Sequence, residues 1–511
     1  VTLRWRNPAA LVALVALLLG LGFLGTRAIW DPDEGRYTNV ALNMLDSGDW
    51  LHPRRNVDVG HWTKPPVTYW AIAASMGLFG RNPWAARLPI ACAYLACVYL
   101  AWRVGRRLAP GAHGMAALAY ATMFVPAFSS QIITTDFILA AAQTLAMAAY
   151  VEARFGPVGA ARRWIALMWF AFAVAFMTKG PPALLPLLAV AAFEVLSPPP
   201  PRPGRLAFAS GALIFLAVAL PWYLVVVIGQ PGLLEYFVGA EVVGRFASDR
   251  FDRHGEWYGW LTVYGATVLL GTLPWTRLLL RWVRGLPAQV RAWRTPAARI
   301  EGAPDLLLAL WVMLPLLVFC LAQSRMPLYI LPLFVPMAVI VARQWRAASL
   351  PWPRTRWLVL VVLLYTAIRL AAAAWPTHKD AGAWADAIRE RAVRPVTVVL
   401  FVEDMARYGL NLHLDAEIEK ISLEPLAQSR FNPRFDEDLA LELSEEDPGA
   451  IWIARQERWD DIRQRIAARG YRAVARGTPF QGRVVFDVEP RPGRTPLSCT
   501  DASVGDCGTL P

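Results

Sequence analysis

The stretch IWDPDEGRYTNVALNMLDSGDWLHPRRNVDVGHWTKPPVTYW (residues 29–70) follows directly on an apolar run of transmembrane type. It sets acidic, basic and aromatic residues side by side next to a bilayer, where charge is costly. The chain around it has 511 residues, is 56% hydrophobic and contains 23 Trp, with the apolar residues in long runs rather than in alternation. From about residue 375 the runs shorten and charges become frequent. This implies a membrane domain over 1–375, whose first loop outside the membrane spans 30–84, and a soluble domain over 376–490. The last segment, 491–511, is rich in Pro, Gly, Ser and Thr and reads as disordered.

The net charge of +12 is not distributed as a nucleic-acid footprint. Arginines cluster in short loops between apolar segments, as in RVGRR (103–107), RWVRGLPAQVRAWR (281–294) and ARQWRAASLPWPRTR (342–356). That is the positive-inside pattern of an inner or plasma membrane protein. At about 20 residues per crossing, about 11 spans are expected, near 9–29, 85–102, 112–128, 137–153, 164–178, 181–196, 206–228, 259–280, 305–322, 327–342 and 357–375. Ten candidates follow the first, so it reads as a retained helix rather than a signal peptide. Arg4 and Arg6 place the N-terminus in the cytoplasm, and alternation puts the arginine-rich loops on that side and everything after 375 outside.

The same alternation collects the unusual polar residues on the outer face. Asp31, Asp33, Glu34, Arg36, Lys64, Asp136, Lys179, Glu241, Arg245, His254 and Arg325 could border one cavity there. Ionisable residues at membrane ends commonly snorkel to water. Asp136 and Lys179 fit that bland reading less well, since each caps an apolar helix at a short loop. Lys64, Arg36, Lys179 and Arg325 suit neutralisation of a lipid phosphate, and Asp33 or Asp136 suits orienting a hydroxyl and taking its proton. Together these point to transfer of a sugar from a lipid phosphate to a hydroxyl.

Residues 31–89, from DPDEGRYTNV through SGDW and KPP to AARLP, closely resemble the first extracytoplasmic loop of the bacterial aminoarabinose transferases of lipid A. Those enzymes stand with the protein O-mannosyltransferases among the integral-membrane (GT-C type) glycosyltransferases. Further matches follow in the family's order: ITTDFILA (133–140), MTKGPPALLP (177–186), EVVGRF…RHGEWYGW (241–260), TLPW (272–275) and SRMPLYILPLFVP (324–336). The resemblance implies a GT-C membrane domain that takes a sugar, 4-amino-4-deoxy-L-arabinose in the family, from undecaprenyl phosphate. Transfer would occur with inversion, onto lipid A or another envelope acceptor, at the periplasmic face of the inner membrane. It assigns Asp33, Asp136 and Lys64 to catalysis, and Glu34, Arg36, Tyr37, Lys179, Arg245, His254, Arg325 and Tyr329 to binding of donor phosphate or acceptor. An amphipathic stretch over 65–80, with Tyr69, Trp70 and Phe79, would lie along the interface.

One departure is plain. The family carries Glu before the KPP lysine, and here Thr63 stands there, which removes a candidate metal ligand. No cofactor is otherwise called for; a divalent metal stays open, with His52, His61 or Asp58 as substitute ligands. The expected partners are a polyprenyl-phosphate sugar, a lipid or glycan acceptor and membrane lipids, without nucleic acid. A protein O-glycosyltransferase and a lipid flippase or transporter are the alternatives; the absence of a visible inverted repeat speaks against the latter.

In the soluble domain AGAWADAIRERA and WDDIRQRIAARG read as helices, and VTVVLFV, AIWIARQ, YRAVARG and GRVVFDV as strands, an α/β arrangement. No nucleotide loop, nucleophile elbow or metal-ligand spacing stands out there. Cys92, Cys97 and Cys320 read as apolar fillers, while Cys499 and Cys507 could pair in an oxidising compartment.

Overall fold

The computed structural model describes residues 8–197, 206–244, 254–445 and 447–491. The tail beyond Arg491, with Cys499 and Cys507, lies outside the described residues, as do Arg4, Arg6 and Arg245. The chain divides into two units. One comprises Val1–Arg27, Met44–Pro53 and His61–Trp375; the other comprises Ala28–Asn43, Arg54–Gly60 and Pro376–Pro511. The first long loop thus contributes to both.

The first unit is helical. Among the described residues six helices are long and apolar enough to cross a membrane: Pro83–Leu108, Val158–Lys179, Phe208–Gly229, Ala303–Leu321, Pro327–Ala347 and Thr355–Ala374. Shorter or more polar helices occupy Pro8–Leu21, Asp136–Phe155 and Leu185–Leu196. The helix Thr355–Ala374 shows which solvent shaped it. Leu358, Val361 and Tyr365 are buried, yet Leu360, Leu363 and Leu364 on its outer side are more than half exposed. Leucine on both faces is what a lipid-facing helix shows, since hydrocarbon carries no penalty for it.

Local chemistry sets the helix starts. Asn82 caps Pro83–Leu108 by accepting a hydrogen bond from the Ala85 N–H at 2.9 Å, and Pro83 follows at the position where a missing N–H costs nothing. Arg87 in this helix is 1% exposed and donates to the carbonyls of Leu24 (3.2 Å) and Arg27 (2.6 Å), so the AARLP arginine is a structural clamp.

Three expectations are corrected. The apolar run at 259–280 is not one helix: helical backbone over Leu261–Gly271 stops at TLPW, and a second helix runs Thr276–Ala292. Pro274 cannot donate the next ladder bond, and the Leu273 carbonyl instead accepts from the Phe124 N–H at 3.0 Å. The stretch 281–292, taken for loop, is therefore helix, with Leu279 and Trp282 buried and its arginines on other sides. Likewise 112–128 breaks at Met123 into His113–Thr122 and Phe124–Ser129. Finally, Val67–Phe79 is a helix that is apolar all round rather than amphipathic, burying Tyr69, Ile72 and Met76 while exposing Leu78 and Phe79.

The second unit is built on a six-stranded sheet: β1 (Val398–Val402), β2 (Glu417–Ser422), β3 (Glu437–Asp438), β4 (Ala450–Arg455), β5 (Tyr471–Ala475) and β6 (Arg483–Pro490), in the order β3-β2-β1-β4-β6-β5. β3, β2, β1 and β4 are parallel, and β6 runs antiparallel to both β4 and β5. Strand β1 reads VVLFV because both its faces are covered. Val399 and Phe401 pack with Trp384 and Ile388 of the helix Ala381–Arg391, and Leu400 and Val402 with Ile462 and Ile466 of Trp459–Ala468. The α/β expectation holds, and the four strands read from sequence are present. The two it lacked, β2 and β3, carry EIEKIS and ED, in which charge hides the strand period.

Two polar centres fix this unit. Asp404 is 4% exposed and receives Arg455 at 3.0 Å and Arg483 at 2.9 Å, with Arg407 at 3.7 Å. Burial alone would raise its pKa; the hydrogen bonds from Arg483, the Met405 N–H and Arg455 overrule burial and hold the carboxyl at about 2. Asp31 is 2% exposed, and its carboxyl accepts from the Gly409 N–H at 3.1 Å. Burial pushes it up to about 8 against the opposing pull of that N–H and of Arg407. A Cβ at Gly35 would stand 1.8 Å from Asp31 Oδ1, and one at Gly409 3.0 Å from Oδ2 and 2.8 Å from Ala381.

Candidate functional site

Within the first unit a cavity of about 620 Å³ is lined mainly by Trp62, Leu139, Phe176, Phe215, Leu220, Tyr223, Phe237 and Phe319. Its polar lining includes Lys64, Lys179, Glu241 and Tyr329. Lys64 Nζ lies 3.3 Å from Glu241 Oε2 and donates to the Thr63 carbonyl at 2.7 Å. Tyr236 holds the other Glu241 oxygen through its hydroxyl at 3.0 Å. Lys179 donates to Asp136 in a buried ion pair, and its ammonium stands 4.4 Å from the centre of the Tyr329 ring.

The sequence puts these groups there for local reasons. Asp136 is the first residue of the helix Asp136–Phe155, where the helix dipole favours a carboxylate, and Lys179 is the last of Ala161–Lys179, where it favours a cation. Tyr236 and Glu241 lie in the π-helical stretch Tyr236–Val243, whose i to i+5 period brings them onto one face. Neither the 3.6 nor the 2.0 period exposes that relation, so Tyr236 escaped the sequence reading. Its only signal was a Tyr five residues before the Glu.

Arg325 is 5% exposed and donates to the carbonyls of His254 (2.5 Å), Glu256 (2.9 Å) and Cys320 (3.2 Å). It gathers the 254–256 backbone, and the His254 side chain itself is exposed. The remaining predicted residues belong to the second unit. Asp33 opens the helix Asp33–Ser47 with an exposed carboxylate that Arg36 reaches at 2.6 Å. Glu34 is buried and accepts from the Trp30 N–H at 2.9 Å, while Tyr37 is buried beneath the Arg36 guanidinium, 5.5 Å from its ring centre. Glu34 therefore anchors the loop.

Among the described residues His52, Asp58 and His61 do not converge as a set of metal ligands. His61 Nε2 meets Thr63 Oγ1 at 2.8 Å, and His52 Nδ1 meets Asp49 at 2.9 Å. With a hydroxyl where a carboxylate would stand, this donor set does not fit a divalent cation, and no chemistry is routed through one.

Comparison with known proteins bears on the same residues. Residues 63–224, which include Lys64, Asp136 and Lys179, match the family of dolichyl-phosphate-mannose-protein mannosyltransferases. The undecaprenyl phosphate-α-4-amino-4-deoxy-L-arabinose arabinosyl transferase of Edwardsiella ictaluri is 31% identical over 340 residues, 65% of this chain and 58% of its own length. The enzyme of that name from Shewanella sediminis is 30% identical over 341 residues, 66% of this chain and 59% of its own. The crystal structure of ArnT from Cupriavidus metallidurans bound to undecaprenyl phosphate superposes with a TM-score of 0.72 at 21% identity, covering 93% of this chain and 97% of that one. The chain is thus similar in sequence to the arabinosyl transferases and shares the fold of the ArnT structure. More distantly, the apo oligosaccharyltransferase of Archaeoglobus fulgidus shares the fold with a TM-score of 0.53 at 12% identity, over 96% of this chain and 75% of its own. The chain spans under 60% of the length of those two curated relatives. The match supports a multi-span membrane protein with a small C-terminal sheet domain.

Proposed function

We propose that this ArnT-like protein is a glycosyltransferase that moves a sugar from a polyprenyl phosphate to an envelope acceptor, with inversion. The observation that carries the reading is the apolar cavity with two lysine ammonium groups in its wall, Lys64 and Lys179. Its aromatic and aliphatic lining suits an isoprenoid, and the lysines suit the phosphate.

The four groups Lys64, Glu241, Lys179 and Asp136 sum to no net charge. An incoming phosphate must therefore compete with carboxylates. At about 4 Å and an effective dielectric near 20, a unit charge pair is worth about 4 kcal/mol. The donor is a phosphodiester with a single charge; as the bond to the anomeric carbon breaks, the leaving phosphate gains a second charge and outbids Glu241 for Lys64, whose 3.3 Å contact is the longer of the two pairs. Asp136 then acts by keeping Lys179 in place. The acceptor oxygen attacks the anomeric carbon as the bond from that carbon to the phosphate oxygen breaks. The acceptor's proton passes to a carboxylate, for which the resemblance offers Asp33, and polyprenyl phosphate leaves with its charge held by the lysines. The resemblance further assigns Glu34, Arg36, Tyr37, Lys179, Arg245, His254, Arg325 and Tyr329 to binding of donor phosphate or acceptor.

The finer organisation belongs to the same proposal. It has about 11 spans over 1–375, a periplasmic domain over 376–490, a cytoplasmic N-terminus and residence in the bacterial inner membrane, as the arginine-rich loops support. Lipid A is the acceptor that the resemblance of residues 31–89 implies, and 4-amino-4-deoxy-L-arabinose is the sugar in the names of the relatives.

The test is transfer of radiolabelled undecaprenyl-phosphate sugars to lipid A, or to envelope protein, by purified protein in nanodiscs. Transfer that Lys64→Ala and Asp33→Asn each abolish is the expected result. Labelled protein instead of lipid would reassign the acceptor. Movement of labelled donor across vesicles without any transfer would replace the enzyme by a flippase.

A further inference from the structure

The helix Leu439–Glu445 and strands β2 and β3 crowd carboxylates together at one edge of the sheet in the second unit. Glu437, Glu442 and Glu445 each offer one oxygen, and the three oxygens lie within 4.8 Å of one another. Glu419 of β2 hydrogen-bonds to the Glu442 carboxyl. Glu442 is 5% exposed, and its Oε2, like that of Glu437, is buried with no hydrogen-bond partner. No arginine or lysine stands among the charges acting most strongly on Glu419, Glu437 and Glu442. Lys420 follows Glu419 on the strand and so points to the opposite face, where it donates to the Arg434 carbonyl at 2.6 Å. Among the described residues, then, this cluster has no basic partner.

Buried carboxylates without cations are expensive. Burial first, and then the neighbouring negative charges, push Glu442 up to about 8, Glu419 to about 9 and Glu437 to about 7. The cluster must take up either protons or a cation. We propose that Glu437, Glu442 and Glu445, backed by Glu419, form a binding site for a hard divalent cation of the calcium class.

The donor set decides the class. It is all oxygen, which disfavours zinc and copper. Three carboxylates suit calcium, which takes about six to eight oxygens in a flexible shell, whereas magnesium keeps several waters and is held by only one or two carboxylates. Glu442 and Glu445 are one helical turn apart, so both reach the same side, and Glu437 arrives from the strand before the helix. The spacing 437, 442, 445 matches no standard ligand motif, which is why the sequence showed nothing here. This site is independent of the transferase reading and can fail or stand without it.

The test uses the full chain in nanodiscs of zwitterionic lipid, stripped with EDTA and then titrated with CaCl2 or MgCl2. Melting of the protein and hydrogen exchange of residues 437–445 are followed for wild type, Glu442→Gln and Glu445→Gln. Expected is a rise in Tm of roughly 5 °C with CaCl2, slower exchange over 437–445, and loss of most of both effects in Glu445→Gln. That variant alters an exposed side chain and should fold as wild type does. In EDTA, Glu442→Gln should melt above wild type, because one of the repelling carboxylates is gone. No CaCl2 effect in wild type, or the same effect in Glu445→Gln, would overturn the site. An equal response to MgCl2 would overturn its calcium class.

Discussion

Around the cavity each buried carboxylate has an ammonium of its own: Glu241 faces Lys64, and Asp136 faces Lys179. At the sheet edge Glu419, Glu437 and Glu442 face one another instead. Both regions hold several ionisable groups out of water, yet one is neutral by pairing and the other is short of positive charge. The difference indicates what each can receive. A neutral set of loosely paired charges takes an anion that can exchange for a carboxylate. A carboxylate set without cations takes a proton or a metal ion.

The largest expected effect is on the paired set. Lys64→Met or Lys179→Met should lower sugar transfer about 10²–10³-fold, the usual loss when one group stabilising a developing negative charge is removed. Steady-state transfer in nanodiscs reads this, and a loss below tenfold for both would break the contrast. Next comes stability. Asp136→Ala takes the carboxylate away from the buried Lys179 ammonium and should cost about 3–5 kcal/mol, whereas Asp136→Leu combined with Lys179→Met should cost much less. Denaturant titration of the detergent-solubilised variants compares them.

A third test lies in the Asp404 centre, where carboxylate and arginines are present together. Its folded pKa is about 2 against an ordinary 3.8, so its stabilisation is complete above pH about 4 and disappears as pH falls towards 2. The shift corresponds to about 2 kcal/mol, and Asp404→Asn should flatten that acid limb in a pH series of thermal melts. The smallest effect is the mirror image. In EDTA, wild-type stability should fall gently as pH rises from about 4.5 towards 8, because Glu442 folded keeps a proton that the unfolded chain releases. Glu419 and Glu437, pushed up by burial and by the neighbouring carboxylates, share this behaviour. Glu442→Gln should remove part of the slope.

What could be seen in advance follows from which physics is local. Asp136 and Lys179 were legible because a charge ending an apolar helix is anomalous at that position alone. The strand β1 was legible because a run such as VVLFV needs cover on both faces. By contrast, the cavity pairing of Lys64 with Glu241 joins residues 177 apart in sequence, and only the fold reveals it. Arg325 looked like a phosphate ligand, yet its guanidinium is spread over three backbone carbonyls. Nothing in SRMP distinguishes those uses. The break at TLPW was hidden because the apolar run continues across it.

The close fit around Asp31 also constrains how this chain can change over generations. A side chain at Gly35 would collide with the Asp31 carboxyl, and one at Gly409 would collide with it and with Ala381. Glycine is thus required at both positions for as long as the backbone keeps this course. Asp31→Ala would not release position 35, because a Cβ there would still meet the Gly409 backbone nitrogen at 2.5 Å. The two glycines should therefore stay fixed while the side chains around them drift. In a deep mutational scan single substitutions at 35 and 409 should fail, and Asp31→Ala should rescue none of those at 35.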